Sequence, residues 1–324
     1  FGTLTVAGIE TLTVDSTGGT DASYTVTAAD ATTLNIKASA KSGGTITTGA
    51  AKATTFNITS ADDITVNDAG SAALKLTSVV IDSTVKGNTV TAVNLSPADS
   101  TTKVDTWTIT TKGAGKVVAD FDGDWGTQSD TNADVFKVDA SENSGGTTID
   151  FSGYTTNNAR YNTFTGGTGD DNAIVAKGTL DKYDTFNLGD GSADVITTTA
   201  TLTAAVSGVF YSDTALASAK PTISGVEIAA INLNSANADR TVSVGSAEFA
   251  GTICLLDDIT THAITIDEIK VGTTIKLGKT LDLTAADLIL TQASATSTAP
   301  SDSLTITSDL IQDASNAYST IDDL

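Results

Sequence analysis

The segment from Gly166 to Ile174 contains the residues of this chain whose types and spacing best fit a metal-binding turn. It reads Gly-Gly-Thr-Gly-Asp-Asp-Asn-Ala-Ile and fits the nonapeptide Gly-Gly-x-Gly-x-Asp-x-U-x, with Ala173 as a small occupant of the large apolar position U. Glycines permit a tight turn whose backbone carbonyls point at one spot. An aspartate adds a hard carboxylate oxygen, and Ca²⁺ takes roughly six to eight oxygen ligands of these kinds. The segment therefore predicts calcium chemistry.

A second Gly/Asp-rich turn, from Leu188 to Ile196, lies 22 residues further along the chain. Its glycines are in register with those of the first turn. It departs from the nonapeptide in carrying Leu188 at the first glycine position and one extra residue before Asp194. We interpret it as a further calcium-binding turn, and a Gly/Asp turn that binds no ion is the alternative for both segments.

A third acidic segment, residues 120–124, reads Asp-Phe-Asp-Gly-Asp and places three carboxylates at alternating positions. This arrangement resembles the start of an EF-hand loop. Trp125 occupies the position that requires glycine, and Thr131 the position that requires a bidentate glutamate, so the segment is not an EF-hand. A calcium-binding turn of another kind and a solvated acidic loop both remain open for Asp120, Asp122 and Asp124.

Cysteine, histidine and arginine are scarce in this chain. It has one cysteine, Cys254, and one histidine, His262, which exclude an internal disulfide and a zinc site of the usual Cys/His spacing. No serine lies in a Gly-x-Ser-x-Gly elbow. Arg160 and Arg240 are the only arginines, whereas a polysaccharide lyase needs acid and base groups beside cations. We interpret Cys254 as a buried small hydrophobic residue, His262 as structural, and the protein as not an enzyme.

The charge balance restricts the partners of the protein. Thirty-nine acidic residues against 17 basic ones give a formal charge of −22, which repels phosphate backbones and anionic lipids. We therefore expect no nucleic-acid partner and, in the absence of a long apolar segment, no direct membrane insertion. Clustered negative charge opposes a compact state unless cations gather on it, so divalent cations are the expected cofactor. The alternative is that the charge serves only solubility.

The segments that must position these turns belong to a sequence repeat. Tetrapeptides beginning at Thr11, Thr33 and Thr55 follow one another at intervals of 22 residues and read Thr-Leu-Thr-Val, Thr-Leu-Asn-Ile and Thr-Phe-Asn-Ile. Tyr161 and Tyr183 begin two similar tetrapeptides at the same interval. The three N-terminal tetrapeptides alternate polar and apolar residues, as a half-buried strand does. A fixed period in this range is typical of stacked repeats.

The C-terminal part keeps the same interval, with two apolar-polar-apolar triplets in each unit of the repeat. One series begins at Ile231, Ile253 and Ile275, and the other at Val242, Ile264 and Ala286. Each unit therefore has two strands that face a common interior. We expect one parallel stack of Leu12, Leu34 and Phe56, and another of Ile231, Ile253 and Ile275.

These repeats predict an all-β fold, a parallel β-solenoid (β-helix) with about 22 residues per coil and Gly/Asp-rich calcium-binding turns. The composition agrees, because 40% apolar residues with only 5% aromatics and no methionine favour a core of small and β-branched side chains. Coils would stack about 4.8 Å apart, so that Asn35 and Asn57 form a hydrogen-bonded ladder. The alternative is a series of tandem β-sandwich domains, which rarely keep one interval over three copies.

The repeats and the segments that interrupt them predict four regions. These are an N-terminal Thr-rich β-solenoid (1–113), an acidic joint with Gly/Asp-rich calcium-binding coils (114–206), a C-terminal β-solenoid (207–292) and a linker with a terminal strand (293–324). The chain begins at Phe1 without a signal segment, and we interpret it as a mature fragment or a processed chain.

Two motifs resemble those of RTX-type (repeat-in-toxin) bacterial surface-layer proteins and large RTX adhesins. One is the nonapeptide at 166–174, and the other is the phrase Gly-Ile/Val-Glu at 8–10 and 225–227. The resemblance implies a β-roll turn in which Asp171 and the carbonyls of Gly167 and Gly169 are calcium ligands. The candidate metal-binding residues are accordingly Gly167, Gly169, Asp170, Asp171, Asp190, Gly191 and Asp194, with Asp120, Asp122 and Asp124.

The resemblance also implies a function. We expect a secreted, extracellular, calcium-binding structural protein of the bacterial cell surface that assembles with copies of itself into a surface layer. The alternatives are an adhesin or carbohydrate-binding β-solenoid module, with cell-surface polysaccharide as its partner, and a β-helical polysaccharide lyase.

Overall fold

The structure of the protein is a computed structural model, and it describes most but not all of the chain. The described residues are 2–16, 23–38, 44–50, 52–68, 76–95, 106–121, 135–152, 161–176, 180–199, 210–211, 220–232, 240–247, 249–256, 263–277, 288–292 and 305–308. Within them the regular structure is β-strand, apart from one turn of 3₁₀-helix at Gly245–Ala247. None of these residues forms a helix long and apolar enough to cross a membrane.

The chain forms two compact units. The first consists of Phe1–Ile174, Lys182–Asp194 and Pro221–Gly225. Its strands are β1 (Thr3–Val6), β2 (Thr11–Ser16), β3 (Tyr24–Ala28), β4 (Thr33–Ala38), β5 (Gly44–Gly49), β6 (Thr55–Ser60), β7 (Ile64–Asp68), β8 (Ser78–Ser83), β9 (Thr89–Leu95), β10 (Thr106–Gly113), β11 (Lys116–Phe121), β12 (Val135–Asn143), β13 (Thr147–Asp150), β14 (Tyr161–Thr165), β15 (Asn172–Ala176, which begins in this unit), β16 (Thr185–Asn187) and β18 (Thr222–Ser224).

The second unit consists of Val175–Asp181, Val195–Lys220 and Val226–Leu324. Its strands are β17 (Val195–Thr199), β19 (Ile228–Asn232), β20 (Arg240–Ser243), β21 (Thr252–Leu256), β22 (Ile264–Ile269), β23 (Thr274–Leu277), β24 (Leu288–Gln292) and β25 (Thr305–Ser308).

Successive strands of the first unit alternate between two sheets. One sheet has the odd-numbered strands from β1 to β15 in chain order, and the other has the even-numbered strands from β2 to β18. Their pairs are parallel. Tandem β-sandwiches would instead consist of antiparallel sheets, so that alternative is wrong. The predicted parallel β-solenoid is confirmed, with about eight turns of roughly 24 residues each.

The register of the N-terminal coils follows the sequence repeat. Leu12 pairs with Leu34, and Leu34 pairs with Phe56, and the latter two side chains are fully buried. On the outer face of the same strands the amide of Asn57 donates to Asn35 Oδ1 at 2.7 Å. The Asn35 amide in turn donates to Thr13 Oγ1 at 3.1 Å. The predicted stack and the predicted asparagine ladder are both confirmed.

Beyond the third coil the turns vary in length while the strands stay in register. Phe56 pairs with Val79, and Val79 pairs with Ile109. The coil from Val79 to Ile109 therefore contains more residues than the coil from Phe56 to Val79. A turn can lengthen at small cost in loop-closure entropy, whereas a strand must stay paired at the common spacing of the sheet. The fixed interval read from the sequence therefore describes only some of the coils.

In the second unit, the pairing predicted for one stack of side chains differs from the observed register by two residues. Ile253 pairs with Ile275 as expected, but Ile231 pairs with Leu255 rather than with Ile253, whose partner is Ala229. The second series shows the same displacement of two residues. Val242 of β20 pairs with Ile266 of β22 rather than with Ile264, and Ile264 pairs with Leu288 of β24. A shift of two residues keeps every apolar side chain on the same face, so the apolar pattern alone does not reveal it.

Aromatic rings fill the interior of the first unit beneath the Gly/Asp-rich turns. Trp107 packs edge-on against Phe136, with ring centroids 6.0 Å apart, and Phe151 lies 5.1 Å from Phe136 and 5.4 Å from Phe186. These four rings are buried. Such pairs add about 0.5–1.5 kcal/mol each beyond the burial of apolar area, and they hold the coils that carry the turns.

The phrase Gly-Ile/Val-Glu marks a turn that precedes a strand. Gly8 and Gly225 have φ angles of 68° and 63°, a left-handed conformation that glycine adopts without strain. After the first of these glycines, the carbonyl of Glu10 accepts the N–H groups of Thr32 and Thr33 at 2.8 and 3.0 Å. The phrase therefore ties the start of one coil to the next.

Candidate calcium-binding turns

Glycines of the two predicted turns lie directly against one another in successive coils. A Cβ atom on Gly189 would lie 2.2 Å from the carbonyl oxygen of Gly167, and one on Gly191 would lie 2.7 Å from that of Gly169. The N–H of Asp190 donates to the Gly167 carbonyl at 2.9 Å. The absence of side chains thus lets the turns stack at the spacing of the sheets, and the register predicted from the sequence is confirmed.

The glycine stack continues into earlier coils that sequence reasoning did not include. A Cβ atom on Gly169 would lie 2.2 Å from the Gly146 nitrogen, and one on Gly145 would lie 2.2 Å from the carbonyl of Gly115. In the sequence, this part of the stack is visible as Gly-x-Gly at 113–115 and as Gly-Gly at 145–146. These glycines are spaced more widely along the chain than the two Gly/Asp-rich turns, so a search at the fixed interval of the repeat missed them.

Asp171 is a buried carboxylate that connects its own turn to the preceding coil. Its side chain is 1% exposed. Oδ1 accepts the N–H of Thr147 at 2.6 Å, and Oδ2 accepts the N–H of Gly167 at 2.9 Å. The aspartate therefore fixes the start of β13 and closes the Gly166–Asp171 turn at the same time.

Asp194 repeats this arrangement one coil later. Its side chain is fully buried, and Oδ1 accepts the N–H of Asp171 at 2.7 Å while Oδ2 accepts the N–H of Gly191 at 3.1 Å. The side chains of Thr147, Asp171 and Asp194 occupy the same position of three successive coils. The sequence motif included both aspartates, but the contact between their coils emerges only in the structure.

Asp170 points to the opposite, solvent side of the turn. Its Oδ1 accepts the N–H groups of Ser192 and Ala193 at 2.9 and 3.0 Å and the Ser192 hydroxyl at 3.1 Å. The hydrogen bond from the Ser192 N–H contributes most to holding the pKa of Asp170 below its usual range. Asp170 is thus an exposed, ionised carboxylate that connects the two Gly/Asp-rich turns.

The electrostatics of Asp171 are those of a desolvated carboxylate among other acids. Burial is the main cause that raises the pKa of Asp171 to about 7. The hydrogen bonds from the Gly167 and Thr147 N–H groups oppose this rise, and the negative charges of Asp194 and Asp170 add to it. A proton or a bound cation would relieve this unfavourable charge.

The oxygen atoms of these turns suit Ca²⁺ in their chemistry. Asp170, Asp171 and Asp194 bring carboxylates to two adjacent turns, and the glycines of these turns add backbone carbonyls. Both kinds of oxygen are hard donors that calcium prefers. Within the described ranges, however, no three side chains of histidine, cysteine, aspartate or glutamate form a group that could hold a metal ion. An ion would therefore take further ligands from backbone carbonyls and water.

The other predicted metal-binding residues are placed as follows. Asp190 is exposed in the second turn, next to Gly191, while Asp120 is exposed near the end of β11. The segment that contains Asp122 and Asp124 lies outside the described residues, as does His262. Cys254 is half-buried on the outer face of β21 between buried Ile253 and Leu255, so the expectation that it is buried is wrong.

A second buried carboxylate was not identified from the sequence. Asp184 is 3% exposed, and its Oδ1 accepts the amide of Asn162 at 2.7 Å and the N–H of Asn162 at 3.2 Å. The two residues follow Tyr161 and Tyr183 in the tetrapeptides, where an apolar residue is usual. This departure from the apolar pattern is the signal that could have revealed the pair.

Comparisons of this chain with protein families, with curated proteins and with solved structures found no match.

Proposed function

We propose that this protein is a secreted, calcium-binding structural protein of the bacterial cell surface that assembles with copies of itself, and that it is not an enzyme. The observation that carries the proposal is the burial of two carboxylates, Asp171 and Asp194, in consecutive turns, where the backbone N–H of Asp171 donates to Asp194 Oδ1. A fold that places acidic side chains together in this way gains stability from a cation that binds only the native turns.

The stacked coils support a structural role. Each coil pairs only with its neighbours, so the length of such a protein grows with the number of repeats and its outer faces present repeating patterns. The RTX-like nonapeptide at 166–174 and the net charge of −22 connect that role to Ca²⁺. On this proposal Asp171 and Asp194 hold an ion from inside the turns, together with the backbone carbonyls of Gly167 and Gly169 and water. Asp170 and Asp190 are exposed to solvent and would bind a separate ion.

The experiment is to measure thermal unfolding and particle size in millimolar Ca²⁺, in millimolar Mg²⁺ and in excess chelator. We expect a higher Tm and large ordered particles in Ca²⁺ alone, because Mg²⁺ requires a tighter octahedral shell and retains its water. Equal Tm and equal particle size in Ca²⁺ and in chelator would contradict the proposal. Negative-stain images distinguish an ordered layer from amorphous aggregate.

A carbohydrate-binding role is the second candidate, and a pair of tyrosines favours it. The rings of Tyr161 and Tyr183 lie 5.0 Å apart, and Tyr161 is 38% exposed. Aromatic rings with a free face pack against the apolar faces of sugars. Retardation in gels that contain a polysaccharide, lost in Tyr161→Ala and retained in a threonine-to-alanine control such as Thr163→Ala, would support this role.

A further inference from the structure

The outward-pointing residues of β1, β3, β5, β7 and β9 form a surface that we call the neutral face, because none of those that the structure describes is charged. We propose that the neutral face is the surface on which a second copy of this chain docks. This inference rests on the proposed self-assembly and goes further by naming the interface.

Threonines form regular rows across the neutral face. Thr25 pairs with Thr47, and Thr47 pairs with Asn67, while a neighbouring row contains Thr45, Thr65 and Thr91. All six residues are half-buried and alternate with core residues. Because the strands are parallel and in register, the hydroxyls recur at the strand spacing of about 4.8 Å.

The neutral face lacks charge in a strongly acidic protein. Among the described outward-pointing residues of these five strands, none is charged. The even-numbered strands of the same coils differ, since Asp15, Lys37 and Asp82 point outward from β2, β4 and β8. Two copies that each carry a formal charge of −22 repel one another. The neutral face is where they can approach with the least like-charge contact.

The chemistry of the neutral face complements itself. A threonine hydroxyl both donates and accepts a hydrogen bond, so two identical faces related by a two-fold axis can satisfy each other. Both faces also repeat at the same strand spacing, which lets the rows of one copy fit between the rows of the other. A second copy therefore fits this face better than a charged partner does.

The size of the neutral face predicts the strength of the contact. Five strands at about 4.8 Å, each with about five residues at roughly 3.3 Å, cover about 400 Å² per copy. A stable pair buries about 800 Å² per partner. One contact of this kind is therefore weak, and we expect it to act in an extended array in which many such contacts are made together.

The test places one negative charge on each face. Thr47→Glu introduces a carboxylate on the neutral face. Thr55→Glu, on the outward side of β6, is the matched control, since both threonines are half-buried outward residues of strands that follow one another in the chain but belong to different sheets. Sedimentation in Ca²⁺ then gives the protein concentration at which assembly begins. We expect Thr47→Glu to raise it at least about tenfold and Thr55→Glu to leave it unchanged, with equal Tm for both variants.

The outcomes separate this inference from the proposed function. If wild-type protein does not assemble in Ca²⁺, the proposed function fails and the inference fails with it. If wild-type assembles and Thr47→Glu assembles equally well, the interface is elsewhere and only the inference is wrong. Loss of assembly in Thr55→Glu alone would place the interface on the opposite sheet. If Thr47→Glu instead abolished binding to an insoluble polysaccharide while self-assembly persisted, the occupant would be a glycan and the inference would again be wrong.

Discussion

The backbone N–H of Asp171 donates a hydrogen bond to Oδ1 of Asp194 at 2.7 Å, so one buried aspartate fixes the backbone of another in the preceding coil. The Asp171 carboxylate in turn accepts the N–H of Thr147. These side chains therefore support the backbone even without an ion, and a cation would add to this support rather than create it.

Replacement of Asp171 should destabilise the protein both with and without calcium. Asp171→Ala leaves the buried N–H groups of Thr147 and Gly167 without their acceptor, which costs about 1–3 kcal/mol each if nothing replaces it. In Ca²⁺ the loss in Tm should be larger, because a ligand is lost as well. The matched control is Asp63→Ala, which removes the acceptor for the Thr89 N–H outside the Gly/Asp-rich turns. An equal Tm loss for Asp171→Ala in Ca²⁺ and in chelator would show that Asp171 binds no ion.

The stability of the calcium-free protein should depend on pH through Asp171. Its pKa is raised from the ordinary 3.8 to about 7 in the folded state, so the folded state holds a proton that the unfolded chain has released. The corresponding stability is fully present below pH about 4 and is lost as the pH rises through 7. In chelator, Tm should therefore fall between pH 5 and pH 8, and Asp171→Asn should reduce this slope. An identical slope in Asp171→Asn would assign the pH dependence to another group.

A methyl group at Gly167 should not fit between the coils. The Cβ of Gly167→Ala would lie 2.0 Å from the Asn143 carbonyl oxygen and 2.6 Å from that of Ala140, so the backbone must move, at a cost of about 3 kcal/mol. Gly49→Ala is the control, because its Cβ would meet only Thr27 Oγ1 at 3.9 Å. Chemical denaturation should show a large loss for the first variant and little change or a gain for the second. Equal free energies of unfolding would mean that the turns are not closely stacked.

The asparagine ladder should contribute measurably to the N-terminal coils. Asn57→Ala removes the hydrogen bond to Asn35 Oδ1 and should cost about 1 kcal/mol. Asn57→Asp places a carboxylate against that oxygen, so it should cost more at neutral pH and recover when the pH falls below the pKa of the new group. Hydrogen exchange of the β4 and β6 amides would locate the effect. A neutral result for Asn57→Asp at pH 7 would exclude a structural role for the ladder.

The sequence alone determined the fold and which apolar residues of the repeats face the interior. Alternating polar and apolar residues fix which side of a strand is buried, and a repeat of constant length fixes which strands stack. These two facts placed Leu34 above Leu12, Asn57 beside Asn35, and the glycines of one Gly/Asp-rich turn against those of the next. In these coils the turns keep a constant length, so similar side chains recur at one interval and the stacking can be read directly from the sequence.

Only the tertiary structure decided the pairing wherever turn length varies. Ile231 pairs with Leu255 rather than with Ile253. Because a shift of two residues leaves the buried face unchanged, an apolar pattern cannot distinguish the two registers. The contact of Asp171 with Asp194 and that of Asp184 with Asn162 depend on how the backbones of adjacent coils approach. That approach is set by strand pairing across the whole sheet, and no single segment of the sequence encodes it.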